Sequence, residues 1–353
     1  MPRIRSRMGY YTSALRLVLI CAVIAACLYG QSALERAVML TRGKQYAEAR
    51  RAIEGVDEPA TTNQRIAFHR LKAAIASGLN EPDIAAAEMN AALELDPGNT
   101  SLLSATAVAQ EQLGDIEEQR GESVEAVKAY QAAVALAPDR EQYRVALALE
   151  FVQHYTFEPA IAVLTQAAPL FPKSAKIRTL LGVSQYVVRN LDQALEALTD
   201  AVELDSELEP ARAYLAQIAL ESNSAPPQRT FDALCRSDKV VCAALRVRFA
   251  PEKAAALAVL KQAPSDEGVA KCELGRAYEH SGDLTAAREQ LEACVRLQPS
   301  AQNHYRLGLV YGRLGLGDLA RKQMALQKEA IAKATEESDR RRSAIQTFRY
   351  VLK

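Results

Sequence analysis

The stretch AVKAYQAAVALAP at residues 126–138 decides the fold, because the chain repeats its pattern twice further on. The segments AIAVLTQAAPLFP at 160–172 and ALEALTDAVELDS at 194–206 carry alanine at the same first and eighth positions, with a larger apolar residue at the fifth. The three segments are therefore spaced by 34 residues. A fixed period of this length is typical of stacked helical hairpins.

Small and large side chains have different tasks on the second helix of each predicted hairpin. Alanine lets a neighbouring helix approach closely, and the larger apolar residue fills the space beside it. Pro138 and Pro172 close two of the units, because proline cannot continue a helix. Pro97 and Pro138 lie 41 residues apart, so the third unit has seven extra residues and is predicted to form an elongated hairpin or a bulge.

The best copy of the pattern lies near the C-terminus. It runs through leucine-glycine, tyrosine, a turn, alanine, a large apolar residue and proline, at Leu274-Gly275, Tyr278, Gly282-Asp283, Ala287, Leu291 and Pro299. This order resembles the tetratricopeptide repeat family, although the chain lacks the tryptophan that the family usually carries. The resemblance implies an all-α, right-handed superhelical solenoid of stacked antiparallel hairpins that binds other proteins.

Composition and motifs argue against several classes of function. Lys plus Arg and Asp plus Glu both total 43, so no excess of basic charge favours nucleic acid as a partner. His69, His154, His280 and His304 are scattered outside catalytic and zinc-binding motifs. The glycine-rich segment 312–317 falls at a predicted turn between helices and follows no strand. We therefore expect a non-enzymatic protein with no cofactor, no metal and no small-molecule substrate.

The sequence predicts five segments. They are a signal peptide or N-terminal membrane anchor at 1–30, a repeat array at 31–221, an irregular or degenerate repeat with a Pro-rich break at 222–267, a repeat pair at 268–334 and a capping helix at 335–353. The break is placed at Pro226 and Pro227, because consecutive prolines cannot continue a helix. The last helix is expected to cover the apolar face of the final repeat.

The N-terminus has the composition of a targeting segment. Several arginines precede an apolar stretch at 17–30, which is short for a membrane-spanning helix and typical of a secretory signal. Three outcomes stay open: cleavage near Gly30, lipidation of Cys27 in a sequence that resembles a bacterial lipobox, or an uncleaved anchor. In each case we expect an exported protein that is periplasmic or associated with the cell envelope.

Removal of this segment leaves four cysteines, Cys235, Cys242, Cys272 and Cys294, and an even number is favoured in an oxidising compartment. The first two are separated by a predicted turn. The other two lie at the same height on the two helices of one predicted hairpin. Both pairs are candidate disulfides. The alternative is that the thiols are free and pack as small apolar groups.

In the family that the chain resembles, the first helix of each hairpin lines a concave face. The matching positions of the central units are mainly apolar, at Val108, Val145, Leu149, Val152, Lys176, Thr179, Val183 and Tyr186. They predict a groove for a protein or peptide segment, either an amphipathic helix or an extended apolar chain. Clamping of a terminal carboxylate is not favoured, since Lys176 is the lone basic residue at these positions. The alternatives are that several of these residues pack between repeats, and that the protein is a self-assembling structural subunit of an envelope-associated complex.

Overall fold

A computed structural model of the chain describes residues 33–222, 224–251 and 253–348, with side chains as far as residue 336. Within these residues the chain is mostly helical and has no strand. The predicted all-α fold class is therefore confirmed. None of the described helices is long and apolar enough to cross a membrane. The predicted targeting segment, with Cys27, lies outside the described residues.

The chain divides into two compact units, Met1–Tyr143 and Arg144–Lys353. The helices of the first unit are α1 (33–42), α2 (Tyr46–Ile53), α3 (Thr62–Gly78), α4 (Pro82–Leu95), α5 (Thr100–Arg120) and α6 (Ser123–Leu136). Helix α7 (Glu141–Gln153) begins at the end of this unit. The second unit continues with α8 (Phe157–Ala167), α9 (Ala175–Val187), α10 (Leu191–Leu204), α11 (Glu209–Glu221), α12 (Gln228–Ser237), α13 (Lys239–Phe249), α14 (Ala254–Gln262), α15 (Gly268–Ser281), α16 (Leu284–Leu297), α17 (Ala301–Arg313) and α18 (Gly317–Phe348).

Each unit is built from consecutive helix pairs. In the first unit α3 packs on α4 and α5 on α6, and α4 also contacts α5 of the following pair. In the second unit the pairs α9/α10, α11/α12, α13/α14, α15/α16 and α17/α18 follow one another in chain order. Because each pair also contacts the next, the apolar face of one is buried by its neighbour. This is the stack of hairpins that the 34-residue period predicts.

The repeated small and large residues form the core of these pairs. The alanines of the repeat are fully buried, at Ala126, Ala133, Ala160, Ala167, Ala194 and Ala201. The larger residues between them are also buried, at Tyr130, Leu164 and Leu198. A Cβ atom at Gly182 on α9 would lie 2.5 Å from Cγ of Leu198 on α10. Glycine therefore makes room on the first helix for the large side chain of the second.

The extra residues of the third repeat lengthen its first helix. Helix α5 has 21 residues and runs without interruption from Thr100 to Arg120. Asn99 caps its start by accepting hydrogen bonds from the backbone amides of Ser101 and Leu102, at 3.1 and 3.2 Å. Gly121 ends it with φ of 80°, in the left-handed region that glycine favours. The structure thus has the elongated hairpin and not the bulge.

The irregular segment contains α12, α13 and α14. Helix α12 packs on α11, and α13 packs on α14, so the predicted break lies between the two helices of one pair. The connection from α12 to α13 is the single residue Asp238. Its carboxylate caps α13 by accepting hydrogen bonds from the amides of Val240 and Val241, at 2.8 and 3.0 Å. Successive pairs are therefore joined tightly at this point.

Candidate protein-interaction surface

The first helices of successive pairs lie side by side in the second unit. Helix α11 contacts both α9 and α13, and α13 contacts α15. Arg306 on α17 places its Nη1 2.8 Å from Oε2 of Glu279 on α15. We call α9, α11, α13, α15 and α17 the first-helix layer. Since first helices carry the binding face in the family that the sequence resembles, this layer is the candidate surface.

The residues predicted to line a groove differ in exposure. Val108, on α5 of the first unit, is 41% exposed, and Lys176 on α9 is also exposed. The half-buried members are Leu149 and Val152 on α7, and Val183 and Tyr186 on α9. Val145 and Thr179 are buried, and Thr179 donates its hydroxyl hydrogen to the Ala175 carbonyl at 2.8 Å. These two residues pack between helices and offer little surface to a ligand.

Tyr186 is held by polar partners on the neighbouring first helix. Its hydroxyl donates to Oε2 of Glu221 at 2.8 Å and accepts from Nε2 of Gln217 at 3.0 Å. Its ring centroid lies 6.2 Å from that of Tyr214. Burial, together with the Glu221 carboxylate, raises the pKa of Tyr186 to about 12, so the hydroxyl remains a donor at neutral pH. This part of the layer is an ordered aromatic surface whose hydroxyl is fully paired.

Two large apolar side chains are exposed further along the layer, on α17. Tyr305 is 45% exposed and Leu309 is 40% exposed. They are four residues apart, so they lie on the same side of the helix, and Arg306 stands beside them. An exposed apolar pair with a charged neighbour is the kind of surface that other proteins contact.

The layer also contains a buried group of charges. The side chains of Arg248 on α13 and Glu273 on α15 are 7% and 8% exposed, and Nη2 of the arginine lies 3.5 Å from Oε1 of the glutamate. Arg276 Nη1 lies 4.0 Å from the other carboxylate oxygen of Glu273. Both distances exceed that of a good hydrogen bond. Among the described residues, Arg248 Nε, Glu273 Oε2 and Arg276 Nη1 have no hydrogen-bond partner.

Burial acts against the charged forms of these side chains. It lowers the pKa of Arg248 and of Arg276, and it raises the pKa of Glu273 although the arginines around that carboxylate act in the opposite direction. These directions mean that the contacts within the group do not offset the loss of water. Buried charges that lack full pairing are a mark of functional sites.

Sequence reasoning missed this group, although part of its signal was present. Glu273 and Arg306 each stand directly before a Leu-Gly dipeptide, at 274–275 and 307–308. They therefore occupy the same position of the repeat, so charged side chains recur at one position of two successive first helices. Arg248 belongs to the irregular pair, whose register the sequence does not give. Its place beside Glu273 is visible only in the structure.

The structure joins the four cysteines in two disulfides. Cys235 on α12 is bonded to Cys242 on α13, with Cα atoms 4.5 Å apart. Cys272 on α15 is bonded to Cys294 on α16, with Cα atoms 4.8 Å apart. The first bond links two successive pairs, and the second ties together the helices of one pair. Because Cys272 precedes Glu273, the second bond fixes the backbone next to the buried charges. The oxidation state of these thiols in the natural protein stays a prediction.

Two features bear on whether the described residues hold a chemical site: metal-binding clusters and pockets of the size that small molecules occupy. Across the ranges that the structure describes, no group of three or more His, Cys, Asp or Glu side chains is placed to hold a metal ion. An open cleft of about 280 Å³ in the first unit is lined by Asp83, Glu117 and Lys128 among others. This volume is below the usual size of a small-molecule pocket.

Comparison with known proteins identifies the repeats. Two family models, both described as tetratricopeptide repeat, match residues 71–141 and 270–300. The second match coincides with the α15/α16 pair. No curated protein matches the chain. These two segments are therefore similar to tetratricopeptide repeats, a helical-hairpin fold that generally serves as a protein-interaction scaffold.

Several solved structures are similar to the chain. The C-terminal part of a TPR repeat-containing protein from Cytophaga hutchinsonii is 17% identical over 75% of this chain and 95% of that one, with a TM-score of 0.46. A tetratricopeptide repeat protein from Parabacteroides merdae is 14% identical over 80% and 97%, with a TM-score of 0.41. YrrB, described as a TPR protein with an unusual peptide-binding site, is 18% identical over 72% and 94%, with a TM-score of 0.31. None of these similarities says what this chain binds.

Proposed function

We propose that this protein is a non-enzymatic scaffold of the bacterial cell envelope that binds a protein or peptide segment along its first helices. The observation that supports it most is the row of half-buried apolar side chains on α7 and α9, namely Leu149, Val152, Val183 and Tyr186. Side chains that are anchored in the core and keep part of their surface free are suited to act as interface anchors. Lys176 adds one exposed positive charge at the margin.

The ligand that suits this row is an amphipathic helix or an extended apolar segment. Tyr186 is already fixed by Glu221 and Gln217, and it lies near Tyr214. A side chain that is held before binding loses little conformational entropy on binding, so its contact area contributes fully to affinity. The row therefore favours a partner that presents large apolar side chains.

Charge reversal in this row tests the proposal. Leu149→Glu and Tyr186→Glu should each reduce capture of the partner from native envelope extracts by at least about tenfold, because a carboxylate would be buried against apolar groups. Leu191→Glu is the matched control, since Leu191 is 42% exposed on the second helix α10. Quantitative mass spectrometry measures capture, and thermal unfolding verifies that each variant folds. If both variants fold and capture the same proteins at wild-type strength, the binding surface lies elsewhere.

Export is supported by the two disulfides, since such bonds persist in oxidising compartments. The proposed mature protein lacks residues 1 to about 30, begins at lipidated Cys27 or keeps its anchor. Mass and N-terminal sequencing of the native protein distinguish these products. Cys27→Ala should abolish membrane retention only in the lipoprotein case. An intact cytoplasmic chain that retains Met1 would contradict export.

The alternative function, a self-assembling subunit, predicts a different behaviour of the purified protein. A scaffold for partner segments should keep the mass of one chain as its concentration rises. A self-assembling subunit should show a mass that rises with concentration in the absence of any partner. Light scattering over a wide range of concentration separates the two.

A further inference from the structure

Three arginines approach one another from three successive first helices. Arg248 lies on α13, Arg276 on α15 and Arg306 on α17, and each is close enough for its charge to act on Glu273. Glu279 is the second carboxylate of the group, and it is paired with Arg306 at 2.8 Å. Three arginines and two glutamates give a formal charge of +1. We call these five residues the arginine group.

Stability alone does not account for the arginine group. A buried ion pair stabilises a fold only when its geometry is good and its remaining donors and acceptors are satisfied. The pair of Arg248 and Glu273 meets neither condition, because its closest approach is 3.5 Å and both side chains keep unpaired polar atoms. The other contacts of Arg248 are a 3.5 Å hydrogen bond from Nη1 to the Ser222 carbonyl and the Phe249 ring, whose centroid is 5.7 Å away. Arg248 Nε and Arg276 Nη1 find no acceptor among the described residues. These donors are held in place without a partner.

We propose that the arginine group binds the carboxylate of an aspartate or glutamate side chain within a partner segment. The proposal rests on the proposed function, because the segment must lie along the first-helix layer. A guanidinium group is planar and matches a carboxylate with two parallel hydrogen bonds. The side chains of Arg276 and Arg306 are each 23% exposed, so they provide the entry, and the buried Arg248 lies behind them.

The charge of the arginine group favours a carboxylate over a phosphate. One carboxylate neutralises a group of charge +1, whereas a phosphate monoester brings a charge of about −1.5 to −2 at neutral pH. Glu273 and Glu279 would repel the additional charge. Replacement of Glu273 by glutamine raises the formal charge to +2, so it should strengthen carboxylate binding and also admit phosphate.

The position of the arginine group favours a side chain within a segment over a chain terminus. The first-helix layer continues on both sides of the group, towards α9 and α11 in one direction and along α17 in the other. A bound segment can therefore extend past the group at both ends. Tyr305 and Leu309, exposed on either side of Arg306 in the sequence, would receive a large apolar residue near the acid. The recognition element is an acidic residue with a large apolar residue close to it.

Selection from a peptide library tests this recognition element. The natively produced, oxidised chain is used to select from a randomised library of ten-residue peptides placed inside a carrier protein, so that no peptide has a free terminus. Enriched sequences should contain Asp or Glu near Leu, Ile, Phe, Tyr or Trp. The enriched sequence is then synthesised with blocked ends, together with versions in which the acid is replaced by its amide or by phosphoserine.

Variants assign the binding to the arginine group. Arg276→Gln and Arg306→Gln should each weaken the acidic peptide at least about tenfold, as removal of one partner of a desolvated charge pair does. Arg246→Gln is the matched control, because Arg246 is exposed on the same helix as Arg248. It should change the dissociation constant less than about twofold, as expected for a peripheral charge. Glu273→Gln should tighten binding, an effect that a purely structural role of Glu273 would not produce.

Every other result counts against the proposal. Absence of acidic residues from the enriched set, equal binding of the amide version or preference of the wild-type chain for phosphoserine would overturn it. Binding that requires a free C-terminal carboxylate would assign the arginine group to chain ends and also overturn it. If apolar peptides are enriched and Tyr186→Glu abolishes their binding, the proposed function survives while this proposal fails. A selection that enriches nothing counts against both.

Discussion

The α9–α11 part and the α13–α17 part of the first-helix layer differ in how their polar groups are paired. In the first part the hydroxyl of Tyr186 both donates and accepts a good hydrogen bond. In the second part Arg248 and Glu273 are more deeply buried than Tyr186, yet their closest approach is 3.5 Å. The better paired side chain is thus the more exposed one, which reverses the usual relation between burial and pairing.

The second helices behind these two parts are alike. Leu198 and Leu291 are fully buried, and each lies where a first helix has glycine, Gly182 or Gly275. Because this packing is equally close in both parts, poor packing does not explain the unpaired charges. Buried polar groups without hydrogen-bond partners, in a fold that is otherwise well packed, are expected at a functional site.

The largest expected effect is loss of the cross-link beside the charges. The α15/α16 pair is closed by Cys272–Cys294, a loop of 22 residues, whereas the α9/α10 pair has no cysteine. Cys272→Ala with Cys294→Ala should lower the free energy of unfolding by about 3 kcal/mol, the loop-closure value for this length. Denaturant unfolding measures it. A change below about 0.5 kcal/mol, or four free thiols in the exported protein, would mean that the cysteines only fill space.

Apolar replacement of the buried pair should act in the opposite direction. Arg248→Met with Glu273→Leu removes the two most buried charges and should raise the free energy of unfolding by about 2 kcal/mol, because badly paired buried ions are costly. A destabilised double variant would show that the pair of Arg248 and Glu273 contributes to stability. The inference that these charges are poorly paired, in contrast to the hydroxyl of Tyr186, would then be wrong.

The pH dependence of stability isolates Glu273. Burial raises its pKa above the ordinary 4.5, so the folded chain holds this proton more tightly than the unfolded chain. The stability of wild type relative to Glu273→Gln should therefore be greatest below about pH 4.5 and fall as the pH rises towards the raised pKa. Unfolding of both proteins between about pH 4 and pH 8 measures this difference. A difference that stays constant or increases with pH would contradict the inferred cost of burying the carboxylate.

The smallest effect is expected in the well-paired part. Tyr186→Phe removes the hydroxyl and frees Glu221 and Gln217, which are exposed and regain hydrogen bonds to water. The free energy of unfolding should fall by about 0.5–1 kcal/mol. A loss above about 2 kcal/mol in chemical denaturation would show that this network is as important to the fold as buried groups usually are.

The sequence was sufficient for the framework of the fold. Ala194, Leu198 and Ala201 are buried as the period requires, since each repeat places the same residue types against its neighbour. The turn predicted at Gly282-Asp283 is also present, because glycine ends α15 in the left-handed conformation and the aspartate caps α16. Both features depend on residues close in sequence or at a fixed spacing.

The surface was harder to predict, because it depends on the rotation of each helix. Successive residues of a helix point about 100° apart, so an error of one residue exchanges a buried side chain for an exposed one. Val145 and Thr179 lie in the core, while Val183 and Tyr186 keep part of their surface. The place of Arg248 in the arginine group depends on the pairing of α13 with α14 and on the contact of α13 with α15, and no regular pattern in the irregular segment predicts these contacts.

Photo-crosslinking in the native cell tests the central claim, that partners bind the first-helix layer, most directly. A photoreactive residue is placed in turn at Gln217 on α11 and Tyr305 on α17, which are exposed in the layer, and at Glu196 on α10 and Glu289 on α16, which are exposed on second helices. We predict that the layer positions crosslink to a partner chain and that the second-helix positions do not. Crosslinks to a partner from Glu196 and Glu289 alone would contradict the account.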